Sequence, residues 1–296
     1  MLTAIDHMII AVRDLAEAAA PFEKLGLQLT PVTRHTTGNA NRALFVGSEN
    51  SEFYVELLSV YDAARASGTA GWAAQEAALN DGPRAFRLML ASEDLAGLAA
   101  HLTAAGVVNA TESVSREDGS KVCDVLRCEA AARAGCEVAF ISYPESASAR
   151  RHRHERAGLF GHDLPLQRLD HLALIAPRLE EVTALWRDVL GVPVYGEVRG
   201  RGMVIRQLKI GDAILELIGP DSPESPLASR PSGLISMAAF QVEDADAVVG
   251  TARERGFTAP DSALGVLPES RVSTISGDQL SGLSLQLIEY PRPVLW

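Results

Sequence analysis

Two dipeptides and two isolated carboxylates carry the chemistry legible in this chain. Asp6-His7 and Asp170-His171 stand early in apolar segments, and Glu56 (in YVELL) and Glu216 (in LELIG) stand inside later ones. A carboxylate among apolar strand residues is costly to bury unpaired, so its presence asks for a partner. Histidine plus carboxylate, completed by two more N or O donors, suits a borderline or hard divalent ion such as Zn, Ni, Mn, Fe or Co. A single Asp-His in a strand is more often a satisfied structural histidine. The recurrence of His and Glu at matching places favours site residues instead.

What must position these residues is a fourfold repeat. Segments from Ile5, Ala85, Leu169 and Ile235 each open with an apolar strand, turn through polar residues, run as a helix and end at a glycine. Anchored at His7, Arg87, His171 and Met237, the glycines Gly26, Gly106, Gly191 and Gly256 follow at 19, 19, 20 and 19 residues. Each glycine is expected to end its helix with positive φ. Strand-periodic stretches follow, closing on FYVELLSV (53–60), EVAFISY (137–143), AILELIG (213–219) and LSLQLIEY (283–290). Each unit therefore reads β-α-β-β-β. The expectation is an α+β chain of two domains. Residues 1–144 hold modules 1–60 and 83–143 around a helical insert, 61–82, that closes on Asp81-Gly82. A linker spans 145–166, and 167–296 hold modules 167–220 and 233–291. His and Glu from strand start and strand end converge only if the sheet curls into a cup.

Composition narrows the function. The 296 residues, 47% hydrophobic and 22% charged, describe a globular chain with ample core. The net charge of −11 argues against nucleic acid or an anionic membrane as partner. No apolar run reaches the roughly 18 residues of a membrane span, and no export signal is visible, so a cytoplasmic location is expected. Cys123, Cys128 and Cys136 form neither a disulfide framework nor a zinc knuckle and read as buried thiols.

The four modules, the histidine starts and the ELL/ELI ends resemble the vicinal oxygen chelate superfamily. It includes glyoxalase I, methylmalonyl-CoA epimerase, fosfomycin and bleomycin resistance proteins and extradiol dioxygenases. HTTGNANRALFVG after Gly26 looks like a glyoxalase-like subgroup, and the third unit looks like a module of an epimerase or glyoxalase. The resemblance implies paired modules forming cups, with a metal held by anchor and last-strand residues. By position these are His7 and Glu56, Arg87 and Ala139, His171 and Glu216, Met237 and Gln286. The metal set expected on this basis is His7, Glu56, His171, Glu216 and Gln286, although every usual module pairing populates only half a site. His35, Asn41 or a linker histidine would complete a half site in one reading. In a second, units one and three face each other and form a full quartet. In a third the metal has been lost and the cups bind ligand by shape. Met237 and Gln286 break the two-His-one-carboxylate triad of ring-cleaving dioxygenases, which excludes that mechanism.

The functional expectation is a divalent-metal-dependent, glyoxalase-like lyase or isomerase acting on a small 2-oxo or 2-hydroxy acid through a stabilised enediolate. Glu56 or Glu216 would serve as base, its pKa expected to be raised by the apolar strand around it. The alternative is a metal-free protein that binds or sequesters a small molecule, as bleomycin-resistance members do. A homodimer is compatible with either, since modules of this superfamily pair across chains. His35 and Asn41 are candidate pocket residues, against a plain turn at Gly38-Asn39. Arg206, with Arg199 and Arg201, is a candidate anion ligand, against a solvated strand edge. RRHRHER (150–156) reads as solvated linker. Gly200-Arg201-Gly202 lacks the strand-turn-helix context of a nucleotide loop.

Overall fold

The computed structural model describes residues 2–48, 51–80, 82–265 and 269–291. The first unit supplies β1 (Leu2–Ala11), α1 (Leu15–Leu25), β2 (Thr33–Arg34), β3 (Asn39–Ser48) and β4 (Ser51–Val60). After α2 (Ala63–Ala66) and α3 (Trp72–Asn80), the second unit supplies β5 (Arg84–Ser92), α4 (Leu95–Ala104), β6 (Asn109–Ser115), β7 (Lys121–Cys128), α5 (Ala131–Ala134) and β8 (Glu137–Ser142). The helix α6 (Ala147–Arg156) leads to β9 (Arg168–Ile175), α7 (Leu179–Ala184), β10 (Val194–Gly200), β11 (Met203–Ile210) and β12 (Ala213–Pro220). The last unit is β13 (Gly233–Gln241), α8 (Ala245–Glu254), β14 (Ala263–Leu264), β15 (Arg271–Ile275) and β16 (Ser284–Glu289).

These strands form two curled, eight-stranded mixed sheets, ordered β2-β3-β4-β1-β5-β8-β7-β6 and β10-β11-β12-β9-β13-β16-β15-β14. Unit one therefore pairs with unit two, and three with four. Each sheet is stitched at its centre by one antiparallel pair, β1 with β5 or β9 with β13. Each strand of a central pair is joined in parallel to the last strand of its own unit.

The four helix-ending glycines all have positive φ: 87° at Gly26, 72° at Gly106, 70° at Gly191 and 81° at Gly256. The longer spacing to Gly191 also has its reason. After α7 the chain runs on as a π-helical turn, Leu185–Val189, whose wider loop absorbs the one extra residue.

Alternation along the strands separates two faces. Met8, Ile10, Val55, Leu57, Leu88, Leu90, Val138 and Phe140 point to the helices and join one buried core shared with the second sheet. Ile9, Leu58, Met89, Cys123, Val125, Ala139 and Ile141 line the other face, under Ala78 of α3. The sheets meet through their core faces, with the Phe53 and Phe240 rings 6.1 Å apart. The Trp186 indole N–H donates to the Ala134 carbonyl at 3.0 Å across the same contact. The two cups therefore lie on faces turned away from each other.

The helical expectation for the insert holds in α2 and α3, while Asp81 of its closing pair lies outside the described residues. The basic run 150–156 differs from expectation. It folds as part of α6, capped by Ser146, and buries His154 and Arg150 against the first sheet.

Candidate active site in the N-terminal cup

Sheet register explains why His7 and Glu56 meet. In the parallel pairing of β1 with β4, Ile9 stands opposite Glu56, and His7 is two residues away on the same face. Asp6 is the extra residue of a β-bulge at the β1–β5 pairing, and its carboxylate reaches the His7 ring. Asp6 Oδ1 lies 2.6 Å from His7 Nδ1, and His7 Nε2 lies 3.3 Å from Glu56 Oε2. The Asn41 amide donates to Glu56 Oε1 at 2.5 Å. Behind the pair, the Tyr143 hydroxyl donates to Asp6 Oδ1 at 2.7 Å, and Arg150 reaches Asp6 Oδ2 at 3.4 Å. Tyr54 stacks on the His7 ring at 4.2 Å and shares a 3.1 Å hydroxyl contact with Tyr143.

Burial is the largest influence on these groups and by itself would neutralise all three. It would raise the Asp6 and Glu56 pKa values and lower that of His7. Hydrogen bonds and opposite charges outweigh it. Asp6 and Glu56 are held below the usual carboxylate range, and His7 is raised above the usual histidine value. For Glu56 this runs against the raised value expected, because the His7 and Asn41 hydrogen bonds to it outweigh its burial. These interactions favour the charged form of all three, an imidazolium between two carboxylates. His35 goes the other way, lowered chiefly by burial, so it stays neutral.

These side chains open on a cavity of about 120 Å³ in the first cup. His7, His35, Asn41, Tyr54 and Glu56 line one side, and Arg87, Glu112 and Arg127 line the other. The insert closes the top: Thr69 lines the cavity, the Gly71 carbonyl accepts from Arg87 Nη2 at 3.4 Å, and the Leu79 carbonyl accepts from Arg13 at 2.9 Å. His35 is buried with Nδ1 unpartnered, as is Asn39 Oδ1. Cys123 also faces the cavity, with its thiol pushed up to about 12 by burial and so not a nucleophile. Cys128 and Cys136 are likewise free thiols.

The second cup repeats the relay. Asp170 Oδ1 lies 2.7 Å from His171 Nδ1, His171 Nε2 lies 3.9 Å from Glu216, and the Gln207 amide donates to Glu216 at 3.2 Å. Tyr290 donates to Asp170 at 3.0 Å, as Tyr143 does to Asp6. Arg206 is not part of this cup. It sits on the opposite face of β11 from Gln207, held by Glu180, Glu197 and Thr183 against α7. Gln286 and Met237 stand at the register positions of Glu216 and His171 on the partner module, both half-buried.

The expected metal set does not assemble. His7 with Glu56 and His171 with Glu216 stand in separate sheets on outward-turned faces, so the quartet of units one and three cannot form. Within the first cup, the positions equivalent to His7 and Glu56 hold Arg87 and Ala139. A guanidinium repels a cation and a methyl group donates nothing, whereas a catalytic divalent site takes about three protein ligands. Among the described residues no three His, Cys, Asp or Glu side chains converge on one point. The side chains of the first cup do not fit a resident metal of the superfamily's kind.

Sequence reasoning found His7, Glu56, His35 and Asn41 but missed Tyr143, Tyr54, Arg127 and Arg150. For Tyr143 a signal existed: a tyrosine directly follows the last strand of both even-numbered units, at 143 and 290. Arg150 was hidden by a polar composition that reads as linker.

A family model described as a glyoxalase-like domain matches residues 5–160. One described as the glyoxalase, bleomycin resistance protein and dioxygenase superfamily matches residues 170–265. The chain belongs to the glyoxalase-like, vicinal oxygen chelate superfamily. Among solved structures, a mutant of 4-hydroxymandelate synthase from Streptomyces coelicolor is similar over 100% of this chain and 95% of its own, at TM-score 0.65 and 15% identity. A hypothetical protein from Staphylococcus aureus is similar over 98% of this chain and 100% of its own, at TM-score 0.64 and 14% identity. Both show the fold of this glyoxalase-like chain and nothing finer. No curated protein matches the chain significantly. Among the described residues no helix is long and apolar enough to cross a membrane.

Proposed function

We propose that the N-terminal cup of this glyoxalase-like protein is the active site of a lyase or isomerase that moves a proton on a small 2-oxo or 2-hydroxy acid. The buried His7–Glu56 contact, open to a cavity, carries this reading. Glu56 takes the proton from the carbon beside the keto group of a 2-oxo acid, or from the hydroxyl-bearing carbon of a 2-hydroxy acid. The electron pair passes into the adjacent carbonyl as an enolate or enediolate, and Glu56 returns the proton to carbon. The His7 imidazolium and the Asn41 amide hold the carboxylate oriented. Asp6, itself held ionised by Tyr143 and Arg150, favours the charged form of His7 and fixes its ring in place. The neutral His35 ring stands beside them as a hydrogen-bond partner for substrate oxygen.

The cavity limits substrate size. At about 120 Å³ it is smaller than the roughly 300–1,000 Å³ of sites for drug-sized ligands, which favours metabolites of a few carbons over coenzyme esters. The test is proton–deuterium exchange, followed by proton NMR in D₂O, over a panel of small 2-oxo and 2-hydroxy acids. Wild type is expected to exchange at least one member and Glu56→Gln none. Ligand binding without exchange would leave the metal-free binding protein as the function. The half-populated donor set favours that second reading.

A further inference from the structure

Arg87 is a buried charge without an ionic partner in the first cup. It is 5% exposed, yet it makes no ion pair among the described residues; its hydrogen bond is to the Gly71 carbonyl, and its guanidinium lies over the Phe86 ring at 4.8 Å. Burial and the neighbouring Arg127 guanidinium lower its pKa to about 10, and Glu137, Glu56 and Glu112 offset this only from a distance. Buried charges without partners are rare in folded proteins because they are costly.

The surroundings bring a second guanidinium to the same place. Gly71 lies above both arginines. A Cβ built there would stand 3.0 Å from Arg87 Nη2 and 3.1 Å from Arg127 Nη1, so a side chain at 71 would press on both guanidinium tips. Glu112 pairs with Arg127 through Nε, which leaves the outer edge of that guanidinium toward the cavity. By strand register Arg87 is also the counterpart of His7 on the partner module, facing it across the cavity.

We propose that Arg87 and Arg127 form an anion clamp that seats the carboxylate of a small acid in the N-terminal cavity, so that a guanidinium stands where a superfamily metal ligand would. Two planar forks match a carboxylate bidentately, and the bound anion supplies the missing countercharge. The ligand's reactive carbon then lies toward His7 and Glu56. That the ligand is a substrate rests on the reading given under Proposed function; the anion site itself does not.

The test is isothermal titration calorimetry of the full chain, in low-chloride buffer, with pyruvate, oxalate, lactamide and orthophosphate. Pyruvate or oxalate is expected to bind and the uncharged lactamide not. Arg87→Met should weaken carboxylate binding by about tenfold or more, equivalent to about 1.4 kcal/mol. Arg87→Lys, which keeps the charge but loses the fork, should fall between, and Glu56→Gln should retain or gain affinity. Without ligand, Arg87→Met should melt higher than wild type, since it removes an unpaired buried cation. Should that variant fail to fold, Arg87→Lys and Arg127→Met carry the test. Equal affinities in wild type and the arginine variants, or equal binding of lactamide, would overturn the clamp. Tighter binding of orthophosphate would overturn its assignment to a carboxylate. Binding without proton exchange in wild type would keep the clamp and sink the proton-transfer reading. Exchange with a KM unchanged in Arg87→Met would do the reverse.

Discussion

The two cups of this molecule carry one relay in two settings. Tyrosine, aspartate, histidine, glutamate and a side-chain amide recur as Tyr143–Asp6–His7–Glu56–Asn41 and Tyr290–Asp170–His171–Glu216–Gln207. What faces the relay differs. In the first cup Arg87 and Arg127 stand opposite and the insert covers the mouth, so His7 is 3% exposed. In the second the opposite positions hold Met237 and Gln286, only a short segment with one 3-10 turn, Pro226–Ser229, separates the units, and the cup-facing Met203, Ile205, Ile218 and Gln286 are only half-buried. The relay therefore comes with the odd-numbered module, and the even-numbered module and its covering decide whether it sits in a closed, charged cavity. Desolvation strengthens each hydrogen bond in the first cup and leaves the second diluted by water.

The largest expected effect that separates the cups is catalytic. Glu56→Gln should lower turnover by about 10²–10⁴-fold, the usual loss for a general base, whereas Glu216→Gln should leave it within about threefold. The exchange assay read on both variants decides this, and equal losses would make the cups equivalent.

A smaller difference should appear in stability. Tyr143→Phe removes a donor from a deeply buried carboxylate and should cost about 1–3 kcal/mol by chemical denaturation. Tyr290→Phe should cost less, because Asp170 keeps the Gln241 amide at 2.9 Å.

Acid–base linkage should separate them further. With a raised pKa, His7 adds stability that is full below about 6.5 and lost as pH rises through its folded value. Asp6 and Glu56, lowered, add stability present above about 4 and lost as pH falls through theirs. His7→Gln should therefore flatten the decline in melting temperature as pH rises above about 6.5. His171 is raised too, but its Nε2 is 3.9 Å from Glu216 against 3.3 Å in the first cup, so His171→Gln should flatten it less.

The smallest expected contrast lies at the helices. Asp14 caps α1 by accepting from Ala16 and Glu17, while Arg178 at the start of α7 makes no side-chain cap. Asp14→Ala should cost about 1 kcal/mol and Arg178→Ala less than about 0.5. Thermal melts of the two variants check it.

The sequence by itself determined the repeat, and with it much of the fold. Glycines at nearly constant spacing from strand anchors need positive φ wherever they fall, and alternation along a strand sets the inward face without reference to its neighbours. His7, Glu56, His35 and Asn41 were legible because a charged or polar residue on an inward strand position has to be explained locally. Tertiary structure alone decided which modules share a sheet, and so removed the metal quartet: pairing is a choice among partners equally compatible with each strand's own pattern. It also decided that Arg150, in a run that reads as linker, backs the Asp6–His7 pair. Above all it set Arg87 beside Arg127 under Gly71, residues 16 and 40 positions from Arg87's own at the extremes of one unit and its insert. No short-range rule links those three positions. The electrostatic meaning of a lone arginine in a strand exists only once burial has removed its water and folding has brought a second guanidinium to the same cavity.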